Sequence, residues 1–401
     1  MHKFKRIVYI SKDAFKLERR GEYKKALDLL IEQFQPEIKE IEGGGCEGYE
    51  SAELALRIGA LIGFLGHFGN MRDDQEKSRN FLMKARDEFI NQKLFEKVSE
   101  CENYITVTYT RTAEFREAEI WNRESLNQDI DEKSLNRAYA FLLKGLIILM
   151  SGQHSKALEY YPTVEEQIIS YGDWFIKGGF ASNFGLAFSY NGRYLEAIDW
   201  MERARRYHKN SNHTAYLASV ENNLAGVFKR CGAFEKAHRC VDRAIALFDQ
   251  IGDLSRRGIS EQTKSEIYFE ERDFVNAFSC AESALTFLTS NNSSVFLADA
   301  YLAKAKATLL LGNKSDSEIA FNKAFEIVLE VSGEEAAERT RREFQKANEL
   351  KKNLVLAAEG NPRLLVSGKF ELVVPPELSI YPGYEVVRIR NSHLSSIGVP
   401  E

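Results

Sequence analysis

Five segments of the chain repeat one pattern every 40 residues: Gly152-Gln-His-Ser-Lys-Ala157, Gly192-Arg-Tyr-Leu-Glu-Ala197, Gly232-Ala-Phe-Glu-Lys-Ala237, Arg272-Asp-Phe-Val-Asn-Ala277 and Gly312-Asn-Lys-Ser-Asp-Ser317. Seven residues beyond each closing Ala or Ser stands a second set: Val164, Ala204, Ala244, Ala284 and Ala324. Upstream, Ala113-Glu-Phe-Arg-Glu-Ala118 with Ser125 fits one residue out of phase. Gly21-Glu-Tyr-Lys-Lys-Ala26 is an earlier copy, and Leu65-Gly66 with Ala85 marks a degenerate one. A pattern of this period, carried about eight times, restricts the chain to stacked supersecondary units.

The residue types say what each unit is. The Gly ends one helix and turns the chain, because it tolerates positive φ without steric cost. The Tyr or Phe two residues later is expected to plug the gap between paired helices. The Ala positions are where helices approach closely, and a larger side chain there would overpack by about 1 to 3 kcal/mol. Between these marks the helices are amphipathic: Ala197, Ile198, Met201 and Ala204 share one face, with Glu196, Asp199 and Glu202 opposite. No single pair can bury such a face alone, so neighbours must stack. The expected fold is all-α, a right-handed superhelix of antiparallel helix pairs over residues 1–332. A capping helix is expected over 333–353 and a small β-rich tail over 354–401.

The Gly-x-aromatic-x-x-Ala mark and the later Ala resemble the tetratricopeptide (TPR) repeat. The usual unit of that family is shorter, which implies extra residues here, mainly in the second helix and the connection. Units of this length resemble those of bacterial signal-responsive regulators and of kinesin light chains, whose first helix is similar to Glu221-Asn-Asn-Leu-Ala-Gly-Val-Phe228. The resemblance implies that the first helices line a concave surface for a protein or peptide partner. Mapped onto this chain, that surface carries Asn103, Arg111, Asn183, Asn222, Lys229, Arg230, Gln262 and Glu266. Asn can hold an extended peptide by bonding its backbone, and Lys or Arg can take a carboxylate. Tyr139, Phe141, Phe184, Phe188 and Tyr190 are expected to pack between helices.

Composition removes several classes of function. The formal net charge is −5, the wrong sign for a field that neutralises phosphates, so direct binding of nucleic acid is not expected. Cys46, Cys101, Cys231, Cys240 and Cys280 are odd in number and irregular in spacing, which suits neither a disulfide framework nor a zinc site. Cys240 and Cys280 recur one repeat apart and read as core thiols. Glu42-Gly43-Gly44-Gly45-Cys46 is too short and wrongly placed to cradle phosphate. No metal, cofactor or catalytic set is expected in the repeats. Only Ile7 to Ile10 follows the basic start as an apolar run, so neither a signal peptide nor a membrane span is expected and the protein reads as cytoplasmic.

After Asn353 the text becomes β-rich, with Phe370-Glu-Leu-Val-Val374 and Tyr384-Glu-Val-Val-Arg-Ile389 set between Pro375-Pro376 and Pro382-Gly383 turns. This tail resembles the start of the self-cleaving domain of LexA-type repressors. Ala357, Ala358, Glu359 and Gly360, followed by Asn361-Pro362, match the cleavage segment, and Ser392 falls in the nucleophile segment. The chain departs from that pattern: His393 replaces the usual Met, Glu359 interrupts the Ala-Gly pair, and the sequence ends before the catalytic Lys. A Ser hydroxyl is a poor nucleophile until a base removes its proton, so Ser392 is expected to be inert. The leading expectation is a non-enzymatic regulatory interaction module. The alternative is a signal-responsive regulator whose tail is a remnant or substrate of LexA-type proteolysis near Ala358.

Overall fold

The computed structural model describes residues 3–66, 71–289, 294–360, 368–372 and 387–389. It divides into two units, Met1–Val227 and Phe228–Glu401. The first holds five helix pairs: α1 (Lys3–Glu18) with α2 (Tyr23–Glu42), α3 (Tyr49–Leu65) with α4 (Met71–Asn91), α5 (Phe95–Arg111) with α6 (Phe115–Asn127), α7 (Leu135–Met150) with α8 (His154–Tyr171), and α9 (Trp174–Tyr190) with α10 (Tyr194–Asn210). It also holds most of α11 (Thr214–Arg230). The second unit continues with α12 (Phe234–Ile251), α13 (Leu254–Glu270), α14 (Phe274–Thr289), α15 (Ser294–Leu310), α16 (Lys314–Ser332) and α17 (Glu334–Gly360). The architecture is a TPR-like array of antiparallel helix pairs.

The repeat marks do the work their chemistry suggests. Ala26, Ala118, Ala157, Ala197, Ala237, Ala277 and Ser317 are fully buried, as are Ala85, Ser125, Ala204, Ala244, Ala284 and Ala324 in the second set. At such crossings there is no room for a methyl: a Cβ on Gly145 would stand 2.4 Å from the Tyr161 ring. The aromatic of the mark is buried in only some copies, Tyr23 and Phe274 among them. The extra length of each unit is shared by both helices rather than placed in the second. First helices α9, α11, α13 and α15 each have 17 residues, and second helices α10, α12, α14 and α16 have 17, 18, 16 and 19.

The turn that joins paired helices needs a left-handed residue, with φ of 80° at Gly152, 74° at Gly192 and 69° at Gly232. Where the sequence offers no Gly the backbone still adopts it: φ is 59° at Ala113 and 66° at Arg272. An L-residue there costs about 1 to 2 kcal/mol, partly offset by the entropy that Gly loses on folding. Arg272→Gly is therefore expected to stabilise the second unit by about 1 kcal/mol, read as a higher urea midpoint. An unchanged or lower midpoint would show that this turn stores no strain.

The C-terminal cap is longer than the sequence suggested. α17 runs through Gly360, so Ala357, Ala358, Glu359 and Gly360 are its last turn rather than an extended linker. Leu354-Val-Leu-Ala-Ala-Glu contains no breaker, and the first stop signals are Gly360 and Pro362. Beyond α17 the described residues are two short strands, β1 (Gly368–Leu372) and β2 (Val387–Ile389), which pair antiparallel with Gly368 opposite Ile389; the rest of the expected β-rich tail lies outside the described residues. Ser392 lies outside the described residues.

Two features of the first unit reach beyond nearest neighbours. Arg57 of α3, one of the largest fully buried side chains, faces Glu18 (3.3 Å), Glu53 (3.4 Å) and Glu100. Lys97 closes the network at 2.7 Å from Glu53 and 2.9 Å from Glu100, and the Tyr104 hydroxyl donates to Glu18. Burial alone would raise the Glu100 carboxyl, but Arg57 and Lys97 hold it down at about 2.

The second feature is the tip of the α1–α2 hairpin, which is seated against helices far along the chain. Arg19 pairs with Asp173 at 3.0 Å and lies 4.5 Å over the Phe175 ring. His213 accepts the backbone N–H of Tyr216 at Nδ1, which leaves Nε2 to donate to the Tyr23 hydroxyl oxygen at 2.9 Å. Gly21, at φ 77°, presses its backbone on that ring, where a Cβ would stand 2.6 Å from His213 Cε1.

Candidate functional site

The first unit contains a cavity of about 230 Å³ that runs along the first helices of successive pairs. α5 contributes Thr110 and Arg111, α7 contributes Tyr139, Leu142, Leu143 and Leu146, α9 contributes Phe175, Gly179, Ser182 and Asn183, and α11 contributes Tyr216, Ser219 and Asn223. Phe64 of α3 and His208 of α10 also line it. The α9 side of the space is lined by the small residues Gly179 and Ser182, while Gly178 beside them is covered by the His208 ring. The hairpin tip supports the walls from behind. Tyr23 stacks on Phe64 at 4.6 Å between centroids, Arg19 lies over Phe175, and His213 meets Tyr216 edge-on at 4.4 Å.

The electrostatics of the cavity are one-sided. Among the described residues its lining includes neither Asp nor Glu, and Arg111 is the one permanent charge. Arg111 donates to the Gly63 carbonyl and lies 4.7 Å over the Phe64 ring; among the described residues it pairs with no carboxylate. His208, 1% exposed, packs on Gly178 so tightly that a Cβ there would stand 2.4 Å from its Cε1. Among the described residues the Gly178 backbone is the one polar group that acts on the His208 ring. Burial pushes its pKa down to about 4, against a small opposing pull from the Gly178 backbone, so the ring is neutral near pH 7. The leucine side walls and the amide and hydroxyl groups of Asn183, Asn223, Ser182 and Ser219 complete an apolar trough with a polar rim.

The residues expected from sequence fall in different places. Arg111 and Asn183 line the cavity. Asn103 has no exposed surface: its amide donates to the Asn136 carbonyl at 3.0 Å and accepts from Ser125 at 3.0 Å, so it ties α5 to its neighbours instead of facing a partner. Asn222 is partly buried with its Oδ1 unpaired, and its neighbour Asn223 is the one on the cavity. Lys229, Gln262 and Glu266 lie in the second unit and engage one another, Glu266 accepting from both. Arg230, the last residue of α11, is exposed there. Tyr139 faces the cavity rather than packing only between helices, and Tyr190 is exposed. Phe175, His208 and Tyr216 carry no repeat mark. The run of small residues in α9 was the one local sign of a space opposite them.

Among the described residues no three His, Cys, Asp or Glu side chains converge on a possible metal position, and no helix is long and apolar enough to cross a membrane. All five cysteines are free thiols.

The fold is a TPR-like array of helix pairs. No family model and no curated protein matches the sequence. Among solved structures, the chain is similar to a signal transduction ATPase with numerous domains and a tetratricopeptide repeat sensor from Pyrococcus horikoshii. The TM-score is 0.53 at 12% identity, over 86% of this chain and 54% of that longer one. It is also similar to NprR in complex with its cognate peptide NprX, with TM-score 0.50 at 12% identity over 74% of this chain and 86% of that one. A Rap protein complexed with competence and sporulation factor aligns at TM-score 0.49 and 15% identity, over 82% of this chain and 99% of that one.

Proposed function

We propose that this chain is a regulatory binding module, not an enzyme, and that it takes an extended peptide segment into the cavity of the first unit. The observation that carries this reading is the cavity itself, an apolar trough rimmed by amides and hydroxyls along α5, α7, α9 and α11. At about 230 Å³ it is smaller than the roughly 300 to 1,000 Å³ of sites that enclose a whole small molecule or cofactor. It suits one or two side chains of a longer ligand whose backbone stays on the rim. Asn183 and Asn223 are placed to bond that backbone, since a carboxamide both donates and accepts. The NprR complex supports the reading, because a similar fold there holds a peptide. Asn222, Lys229, Arg230, Gln262 and Glu266 remain candidates for a longer partner. Proteases take extended segments, and Ala357–Gly360 are helical, so the expected cleavage segment is not in a form suited to proteolysis.

Ser219→Phe places a ring inside the trough without touching the helix crossings. Peptides co-purifying with the protein from its host, read by mass spectrometry, are expected to fall at least about tenfold in this variant, equivalent to about 1.4 kcal/mol of binding. Circular dichroism should be unchanged. Equal peptide yield from both proteins would sink the assignment of the cavity.

A further inference from the structure

We infer that the edge of the first unit where the hairpin tip meets the starts of α9 and α11 docks single-stranded nucleic acid, held by cations and by stacking on Trp174. The inference is independent of the cavity and of its ligand. The chain as a whole carries a formal charge of −5, the wrong sign for such a partner. Folding reverses that sign locally. Arg19 meets Asp173 at 3.0 Å, Tyr23 meets His213 at 2.9 Å, and the Trp174 and Tyr207 rings lie 5.9 Å apart between centroids. These contacts gather three distant segments, residues 16–25, 171–177 and 203–213. Together the segments carry ten Lys or Arg and three acids.

All three acids are already engaged. Glu18 is buried 3.3 Å from Arg57, Glu22 pairs with Lys25 at 2.6 Å, and Asp173 holds Arg19. Five of the ten cations pair with carboxylates. The other five, Arg20, Lys24, Lys177, Arg206 and Lys209, pair with no carboxylate among the described residues, and all but the half-buried Lys177 are exposed. Unpaired like charges brought together from distant parts of a chain repel one another. The same field draws in a polyanion, whose counterions are released when the cations replace them.

The apolar surface at this edge favours bases over an acidic protein. Within the three segments the exposed large apolar residues are rings, Trp174 at 47% and Tyr171 at 38%, with no exposed Leu, Ile, Val or Met. Tyr207 backs Trp174 in a stack inclined by 26°, which holds the indole in place for a further ring. Lys177 lies 5.1 Å over the indole, and an arriving base can displace its ammonium toward a phosphate. Rings beside a line of cations are what sequence-tolerant binding of a single strand requires, because every base has a face to stack and every phosphate a charge.

The probe is a fluorescein-labelled oligouridine of about 15 nucleotides, titrated with the full chain and followed by anisotropy. Five phosphate contacts on a single strand give a log–log salt slope of about −3.5, so affinity is expected to fall about 100-fold between about 50 and 200 mM KCl. Arg206→Gln with Lys209→Gln removes two contacts and should bring the slope to about −2. Trp174→Leu should lose about tenfold in affinity with the slope unchanged, while Trp174→Phe keeps most of the binding. Tyr190→Leu, which removes an exposed ring outside these segments, should bind as the unaltered protein does. Oligothymidine should bind alike, since stacking and phosphate contacts do not read the sugar. Circular dichroism and thermal unfolding identify any misfolded variant. The doubly substituted Gln protein, altered only at exposed positions, carries the test if Trp174→Leu does not fold.

No saturable binding by the unaltered protein at about 50 mM KCl would overturn the inference. So would a salt slope that Arg206→Gln with Lys209→Gln leaves unchanged, because the charges would then lie elsewhere. Full binding by a folded Trp174→Leu protein, or competition by poly-glutamate as effective per charge as oligouridine, would show a field without stacking and would replace the nucleic acid by an acidic protein.

Discussion

Replacing Arg57 with Met is expected to destabilise the first unit by about 3 to 5 kcal/mol, the usual cost of removing one partner from a buried ion network. The reason is asymmetric. Arg57 faces Glu18, Glu53 and Glu100 from inside the protein, and Lys97 alone reaches only two of the three. Without Arg57, Glu18 stays buried against the Tyr104 hydroxyl, with Arg19, itself paired to Asp173, as the remaining cation that acts on it. For a cooperative unit of this size such a loss lowers Tm by about 6 to 20 °C. Neutralising Glu18 and Glu100 to Gln in the same chain should restore part of it. A loss below about 1 kcal/mol in chemical denaturation would mean that the network behaves like exposed ion pairs.

Within this network Glu100 adds an acid-sensitive contribution, opposed by Glu18, whose carboxyl is raised by burial. Glu100 has its pKa depressed from 4.5 to about 2, so the unfolded chain binds its proton more readily than the folded one. Its contribution is fully present above pH of about 4.5, and it is lost as pH falls through about 2. In Arg57→Met the fall should begin at higher pH, because the cation that depresses Glu100 most is gone.

Gly21→Val is expected to cost about 2 to 5 kcal/mol, combining a left-handed backbone that an L-residue resists with overpacking against a buried ring. A Cβ at Gly21 would stand 2.6 Å from His213 Cε1 and 2.9 Å from its Nδ1. His213 has no exposed surface into which to retreat. The control is Gly192→Val, where φ is 74° and nothing lies within 4 Å of the added atom. Both variants bear the backbone penalty and only Gly21→Val bears the clash, so their difference in unfolding free energy measures how firmly the tip is seated. Equal losses would show that the tip yields freely.

Much of this molecule was legible in its sequence because its information is local. The 40-residue register of small residues located the helix crossings, and those residues are buried to the last atom. Arg111 and Asn183 could be placed on the cavity by their position in first helices alone. What failed is also explicable. Asn103 holds an equivalent position, but its amide is consumed by Asn136 and Ser125, partners that periodicity does not reveal. His208 enters the cavity from a second helix because Gly178 leaves space for its ring, a pairing across thirty residues with no repeat signature. The tip was invisible for the same reason: nothing near Tyr23 announces that its hydroxyl will meet His213, 190 residues later. At the C-terminus, composition did not signal the extent of α17, since Ala357 and Ala358 serve a helix end as well as they serve a loop.

The contact between Tyr23 and His213 has a kinetic consequence. Ordinary repeat arrays can form from any point, because each unit needs only its neighbours. Here the hairpin that emerges first must wait for a partner 190 residues behind it. At typical rates of synthesis that wait is roughly 10 to 40 s, during which Arg19, Tyr23 and the Gly21 turn have nothing to dock on. Closing a loop of that length costs roughly 4 to 5 kcal/mol of chain entropy, recovered only when α9 and α11 are already ordered. The docking step therefore comes last, and pulse-labelled hydrogen exchange should find amides around residues 19–23 protected after those of α9. A protein whose repeats suggest rapid local assembly would then mature at the pace of its longest-range contact.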